Sequence, residues 1–397
     1  MHIPSSRVHD EMRSENGSVW FVPANGGDEI AILIKAPSAT LKSLIAGCDL
    51  NILFGRKEEY LATGVRIFDV PDAALLISGI QKHGEEHDSL LKFLTDRKAP
   101  LFLFNEMDVC LAWTTLSISP DEALQAKELI GTKDSLYEGP FSEECNHALD
   151  CFCYSADRTN YHKGAVEIPL VGILPSLEQW RATRNVFVGF RESHDIVIDD
   201  RNEGEIFERA IWASLESVFP LTLHKSPQVE IGEKSRELTD VLSFHKYGNF
   251  LIEAKDLSVL EANLERSQER RIKGVQKQVK KAINQLVGAS KAIARGERVT
   301  SAQGEDLALV RDEPPHCIVL ITELMPSGDW SEVERMLVEA IQSTQAFFHL
   351  LDLREFISLL KGSSGKPELL DYNLIKRFEL FAEKRTVHIR SQPAPNQ

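Results

Sequence analysis

Residues 236–255 read Arg-Glu-Leu-Thr-Asp-Val-Leu-Ser-Phe-His-Lys-Tyr-Gly-Asn-Phe-Leu-Ile-Glu-Ala-Lys, two apolar strand-like runs joined by a polar turn that contains Gly248. Side chains alternate along a strand, so Glu253 and Lys255 share a face while Ala254 points back. A hairpin register that sets Asp240 against Glu253 or Lys255 gathers two carboxylates and an ammonium at one spot. A slip of one residue separates them. Two hard oxygen ligands for Mg²⁺ beside a cation are what metal-assisted phosphodiester hydrolysis requires.

The chain around this hairpin is long enough, at 397 residues, for two domains with cores of their own. No apolar run approaches a membrane span, and the polar start Met1-His-Ile-Pro-Ser-Ser-Arg is not a signal peptide. Six cysteines do not make a disulfide scaffold at this length, so a reducing cytoplasm is expected. A net charge of -15 argues against a protein that coats nucleic acid non-specifically. From Lys255 to Arg298, however, 11 Lys and Arg stand against 5 Asp and Glu, a balance of +6 that leaves the remainder at -21. A basic strip therefore lies directly downstream of the carboxylates, where it could hold a phosphate backbone.

Residues 1–17 and the tail 391–397 read as disordered. Between them, short apolar runs from Val19 to Ile118, interrupted by a helix near His87–Asp96, predict a β-rich or α+β domain over 18–180, of unassigned role. Residues 139–170 suit a connector or irregular subdomain. A second unit, 185–390, opens with strands at Val186–Phe190 and Asp195–Ile198. Cap chemistry at 199–204 then precedes a helix, Glu205–Val218, stopped by Pro220. After the hairpin comes a long helix, about Leu260–Arg295, with an apolar stripe through Val275, Val279, Ala282, Ile283, Leu286 and Ala289. Strand Cys317–Thr322, helix Trp330–Thr344, strand Phe347–Asp352 and helix Arg354–Leu360 complete an α/β sheet flanked by helices.

Residues 200–300 resemble the PD-(D/E)xK superfamily of restriction-endonuclease-like nucleases. The pattern is an acid on a leading helix, Asp at a strand, Glu/Asp-x-Lys on the next strand, and a later helix that often bears Gln. Glu208 (or Glu205) matches the first position, Asp240 and Glu253-Ala-Lys255 the core, and Gln278 the last. Thr239 stands where the family usually has Pro. The resemblance implies a restriction-endonuclease-like mixed sheet flanked by helices. It also implies that Asp240 and Glu253 ligate Mg²⁺ or Mn²⁺, with Glu208 adding a ligand directly or through water, while Lys255 holds or helps deprotonate the attacking water and offsets developing charge. Gln278 and Lys281 would contact the scissile phosphate or orient Lys255. Arg270, Arg271, Lys273, Lys277 and Lys280 would contact the backbone. DNA is the expected substrate, by analogy. A role in bacterial anti-phage defence or repair, a homodimer with one site per strand, and a protein partner for the first domain are further expectations.

The alternatives are specific. Glu-x-Lys on a strand is often an exposed ion pair, and the basic helix can be a solvated face with i,i+4 pairs such as Glu269–Lys273. A non-enzymatic binding protein that keeps the nuclease scaffold is the rival class, and an RNA-directed nuclease a third. Cys145-x-His147-x₃-Cys151-x-Cys153 departs from zinc-ligand spacing and reads as buried or free thiols. Gly362-Ser-Ser-Gly-Lys366 lacks the glycine spacing of a phosphate loop and runs into Pro367. His349 and Asp352 read as structural groups on an apolar strand, and Cys110 and Trp113 as core.

Overall fold

The computed structural model describes residues 5–70, 74–189, 193–196, 203–246, 248–255, 268–325 and 327–391, and divides into one unit ending at Asn185 and a second starting at Val186. The first unit runs α1 (Ser6–Ser14), β1 (Ser18–Ala24), β2 (Glu29–Lys35), α2 (Ser38–Ile45), β3 (Leu50–Lys57), β4 (Tyr60–Ile67), β5 (Leu75–Gln81) and α3 (Gly84–Asp96). It continues with β6 (Lys98–Phe104), β7 (Cys110–Ser117), α4 (Pro120–Ile130), α5 (Glu143–Ala156), β8 (Leu170–Ile173), β9 (Ser176–Leu177) and β10 (Arg181–Ala182). One sheet has the order β1-β2-β6-β7-β10, with β9 also on β7, and the other β5-β4-β3-β8. Helix α5 packs against β3, β4 and β5. Gly64 of β4 permits that approach: a Cβ there would come within 2.8 Å of the Phe152 ring and 2.9 Å of the Ile77 carbonyl.

Two expectations for this unit need correction. Residues 6–14 are helical, where disorder was expected. The Ser5 hydroxyl accepts from the Val8 N–H, and Val8 and Met12, four apart, bury themselves against Trp20, Val22 and Leu33. Two well-spaced apolar residues were enough to dock a segment whose composition is polar. Residues 143–156 form α5, where irregular structure was expected. Ser142 caps it, and Cys145, Ala148, Cys151 and Phe152 form its buried face. Residues 1–4 and the tail from 392 lie outside the described part.

The second unit opens with a two-stranded pair, β11 (Asn185–Val188) and β12 (Ser193–Ile196), followed by α6 (Glu203–Glu216). Strand β13 (Leu223–Lys225), the hairpin β14 (Gln228–Ile231) and β15 (Lys234–Glu237), β16 (Val241–His245) and β17 (Gly248–Lys255) come next. They precede α7 (Gln268–Ala294), β18 (Val299–Thr300), β19 (His316–Ile321), α8 (Ser331–Thr344), β20 (Phe347–Asp352), α9 (Leu353–Ser363) and α10 (Pro367–Lys384). The main sheet is mixed in strand direction, with order β13-β16-β17-β19-β20. Its first three strands are antiparallel and its last three parallel. Parallel neighbours need a crossover between them, and α7 supplies it. On the α7 side, Leu242, Leu251, Cys317, Val319 and Phe348 share one core with Val275, Val279, Ala282, Ile283, Leu286 and Ala289 of the helix and with Val333 and Leu337 of α8.

The expected first arm of the hairpin is shorter than its apolar run. Arg236 and Glu237 belong to β15 and pair with Val229 and Gln228 in a separate sheet of order β15-β14-β18, and β16 starts only at Val241. The part of the expected long helix before Gln268 lies outside the described residues.

The sheet face opposite α7 carries a buried imidazole pair. His316 Nδ1 lies 3.0 Å from His349 Nε2, and His316 Nε2 lies 3.0 Å from Asp371 Oδ1 of α10. Burial lowers both pKa values. The Asp371 carboxylate opposes this at His316, while His245 of β16 assists it; at His349, His316 and Arg377 of α10 push the same way. A histidine whose folded pKa is depressed stabilises the fold fully above its unfolded value of about 6.5, and this stability drains away as pH falls below it. The pair should therefore lower the melting temperature of the second unit as pH falls from 6.5 to 5.5, relative to a variant that lacks it. His349→Gln should reduce that slope in a series of melts; an unchanged slope would show that the pair does not titrate against folding.

Candidate active site

Register decides whether the three hairpin groups meet. Val241 pairs with Ile252, which sets Asp240, one residue earlier, beside Glu253. Thr239, at the position where the family pattern has Pro, holds this end of the hairpin: its buried hydroxyl donates to the Ile252 carbonyl at 2.7 Å. The Asp240 carboxylate is aimed by the Ala254 N–H, which donates to its Oδ2 at 2.8 Å. Lys255 Nζ donates to Glu253 Oε2 at 2.8 Å and to Asp240 Oδ2 at 3.2 Å. One ammonium thus bridges two carboxylates contributed by neighbouring chain segments.

The acids differ in environment. The Glu253 side chain is 2% exposed, whereas those of Asp240 and Lys255 are 18% and 19% exposed. Burial, and next the charge of Asp240, push the Glu253 carboxyl up to about 7, against the opposing pull of Lys255. Burial pulls the Lys255 ammonium down, but the two carboxylates outweigh it and its pKa is raised. The site therefore already holds a cation between two hard oxygens. Mg²⁺ commonly takes one or two carboxylates and completes its shell with water and substrate phosphate, and Asp240 with Glu253 fits that demand.

The other expected members do not join. Glu208 of α6 places its Oε2 3.3 Å from Lys225 Nζ. Lys225 pairs with Val241, and Val241 with Ile252, so these three share the face opposite Glu253. Glu208, expected to ligate the metal directly or through water, thus pairs with a lysine whose place in the sheet is on the face opposite Glu253. Among the described residues, no group of three His, Cys, Asp or Glu side chains gathers as a ligand set. The side chain of the alternative, Glu205, lies outside the described part. Gln278 is half-buried on the flank of α7 that also carries Arg271, seven residues earlier, and Lys255 donates to the two acids rather than to it.

The basic helix divides in two. Arg270, Lys273, Lys277 and Lys281 follow one another at helical spacing on the exposed side, turned away from the buried stripe and hence from the sheet that carries the acids. Lys273 is paired with Glu269 at 2.6 Å, and Lys280 reaches across to Glu332 of α8 at 2.8 Å. Arg271 pairs with Glu323, just beyond β19, at 2.9 Å. In the first unit, Cys145 and Cys151 are buried thiols on α5 and Cys153 lies 3.4 Å from the Ser78 hydroxyl. Asp352 caps α9 by accepting from the Glu355 N–H at 2.9 Å, and it grips Arg390 through two bonds of 2.6 Å.

Sequence reasoning passed over the work done by Thr239 and by Glu323. The first had a signal, a hydroxyl-bearing residue just before the aspartate. The second had none, because its partner is 52 residues away. Comparison with family models, with curated proteins and with solved structures finds no match to this chain.

Proposed function

We propose that the second unit is a metal-dependent phosphodiesterase of the restriction-endonuclease-like kind, with DNA as its substrate. The observation that carries this reading is the bridge from Lys255 to Asp240 and Glu253 at the open end of the β16–β17 hairpin. Order along the chain supports it: a leading helix, an aspartate entering one strand, Glu-Ala-Lys ending the next, then a long helix that bears Gln278.

A divalent ion on Asp240 and Glu253 would supply Lewis-acid polarisation of the phosphodiester. The chain's own groups do the rest. The Ala254 N–H keeps Asp240 in one orientation, and burial raises the pKa of Glu253 above the ordinary carboxylate range. Lys255, released from its two acids, donates to a non-bridging phosphate oxygen and offsets the charge that builds as water attacks. One P–O ester bond breaks as the new P–O bond forms, and the proton shed by water ends on the departing alkoxide.

A homodimer with one site per DNA strand, a cytoplasmic setting, a part in defence or repair, and a protein partner for the first unit belong to the same proposal. The displaced Glu208 favours one rival, a scaffold that keeps the hairpin without the reaction.

The test is incubation of the full chain with plasmid DNA, linear DNA and single-stranded RNA in millimolar Mg²⁺ or Mn²⁺, beside melts in the same buffers. Cleavage of DNA is expected. At an ion concentration a hundred times its dissociation constant, the second unit should also gain about 2.7 kcal/mol. Intact substrates together with melts indifferent to both ions would sink the reading, and cleavage confined to RNA would change the substrate.

A further inference from the structure

Beside the two acids, the C-terminal ends of the parallel strands carry a second charged group. Lys255, Ile321 and Asp352 form one row across β17, β19 and β20. With about 4.8 Å between neighbouring strands, the row spans ~10 Å, or about three nucleotides at ~3.4 Å of axis each. Glu323 follows Ile321 by two residues, in the loop that leaves the middle strand. Arg271 reaches it from the start of α7 at 2.9 Å, and Arg390 is held by Asp352 at the end of the row. The charge of Glu323 is felt at Arg390, whose pKa is lowered by burial but raised further by the Asp352 bond and then by the charges of Asp352, Glu355 and Glu323.

The roles of the acids differ. Asp352 has structural work, since it caps α9 and accepts from the Leu324 N–H at 3.2 Å. Glu323 is the more exposed carboxylate, at 25% against 4% for Asp352, and it accepts from the Arg271 guanidinium at 2.9 Å. A phosphodiester carries the same single charge as a carboxylate and suits the arginine fork at least as well.

We infer that Glu323 keeps the place of a second backbone phosphate: in the substrate complex a phosphodiester close to the scissile one takes over Arg271, with Arg390 beside it. The substrate is then a polynucleotide rather than a mononucleotide or cyclic nucleotide. This rests on the phosphodiesterase reading and extends it, because it makes Glu323 an internal competitor of the substrate.

Two substitutions that break the same ion pair should act in opposite directions. In a Lys255→Met background with Mg²⁺, anisotropy of a labelled DNA strand of about a dozen nucleotides should show Arg271→Gln binding ~10-fold more weakly, with the salt slope reduced by ~0.7. Glu323→Gln should bind several-fold more tightly, and thymidine monophosphate should not distinguish the variants. A merely structural pair would lower the melting temperature in both variants and shift affinity the same way or not at all, which would overturn the inference. Cleavage by the otherwise unmodified chain, measured in parallel, separates the two ideas. Cleavage with indifferent variants sinks this inference alone. No cleavage with opposed variants leaves a nucleic-acid-binding rim and removes the enzyme.

Discussion

Replacing Lys255 with methionine is expected to lower Mg²⁺-dependent cleavage by ~10³-fold or more while the hairpin keeps its register. Loss of a single group aimed at developing transition-state charge costs on the order of 10²–10³ in rate. Lys255 is such a group, and it also holds both acids in place. Methionine keeps the apolar stem and removes only the charge. The Thr239 hydroxyl and the Ala254 N–H still fix the strand ends, so misfolding does not follow. Without the ammonium, burial and the charges of Asp240 and Glu237 act unopposed on Glu253, whose pKa, already about 7, moves further up. Protonated Glu253 ligates a cation poorly. The variant should therefore need higher Mg²⁺ and higher pH for any residual activity, a pattern that simple unfolding does not produce. Glu253→Gln should lose as much activity with no such pH dependence. Cleavage by Lys255→Met at the rate of the unmodified chain would exclude this lysine from the chemistry.

The bridge was legible because strand alternation and a turn are local properties. Asp240, Glu253 and Lys255 needed only the correct register, and Val241 opposite Ile252 supplies it. The stripe Val275 to Ala289 was legible for the same reason, since spacing along one helix shows which residues seek cover, and all six are buried. What escaped depended on docking. Which face of α6 meets which strand decides the fate of Glu208, and no pattern within residues 204–208 contains that information. Likewise Lys280 and Arg271 read as free positive charge until α8 and the end of β19 bring Glu332 and Glu323 to them. Helix α1 was hidden because composition averages away two anchoring side chains. Helix α10 (Pro367–Lys384) was missed although Pro at its start is a helix-initiating signal.

Arg377 should be the costliest charged side chain to remove for the stability of the second unit. It is buried under the sheet, where desolvation lowers its pKa to about 10 against the opposing charge of Glu355. Its guanidinium donates to the carbonyls of Leu350 and Ile389 at 3.0 and 2.7 Å and to Glu355 Oε1 at 3.2 Å. Glu355, also buried, accepts from the Ser391 N–H and hydroxyl. Arg377→Met would leave a buried carboxylate without its cation and two carbonyls without a donor, at a cost of about 3–5 kcal/mol. For a unit of this size that corresponds to a fall of roughly 10 °C in melting temperature. The cost comes from the stranded partner, so Arg377→Met with Glu355→Leu should recover much of it. Lys273→Met offers the contrast, because its pair with Glu269 is 71% and 76% exposed and the substitution should leave the melting temperature unchanged. Ile389 and Ser391 flank Arg390, so loosening Arg377 should also free Arg390 from Asp352 and weaken polynucleotide binding at temperatures below the melt. A double variant no more stable than Arg377→Met would show that the loss comes from packing rather than from the uncompensated charge.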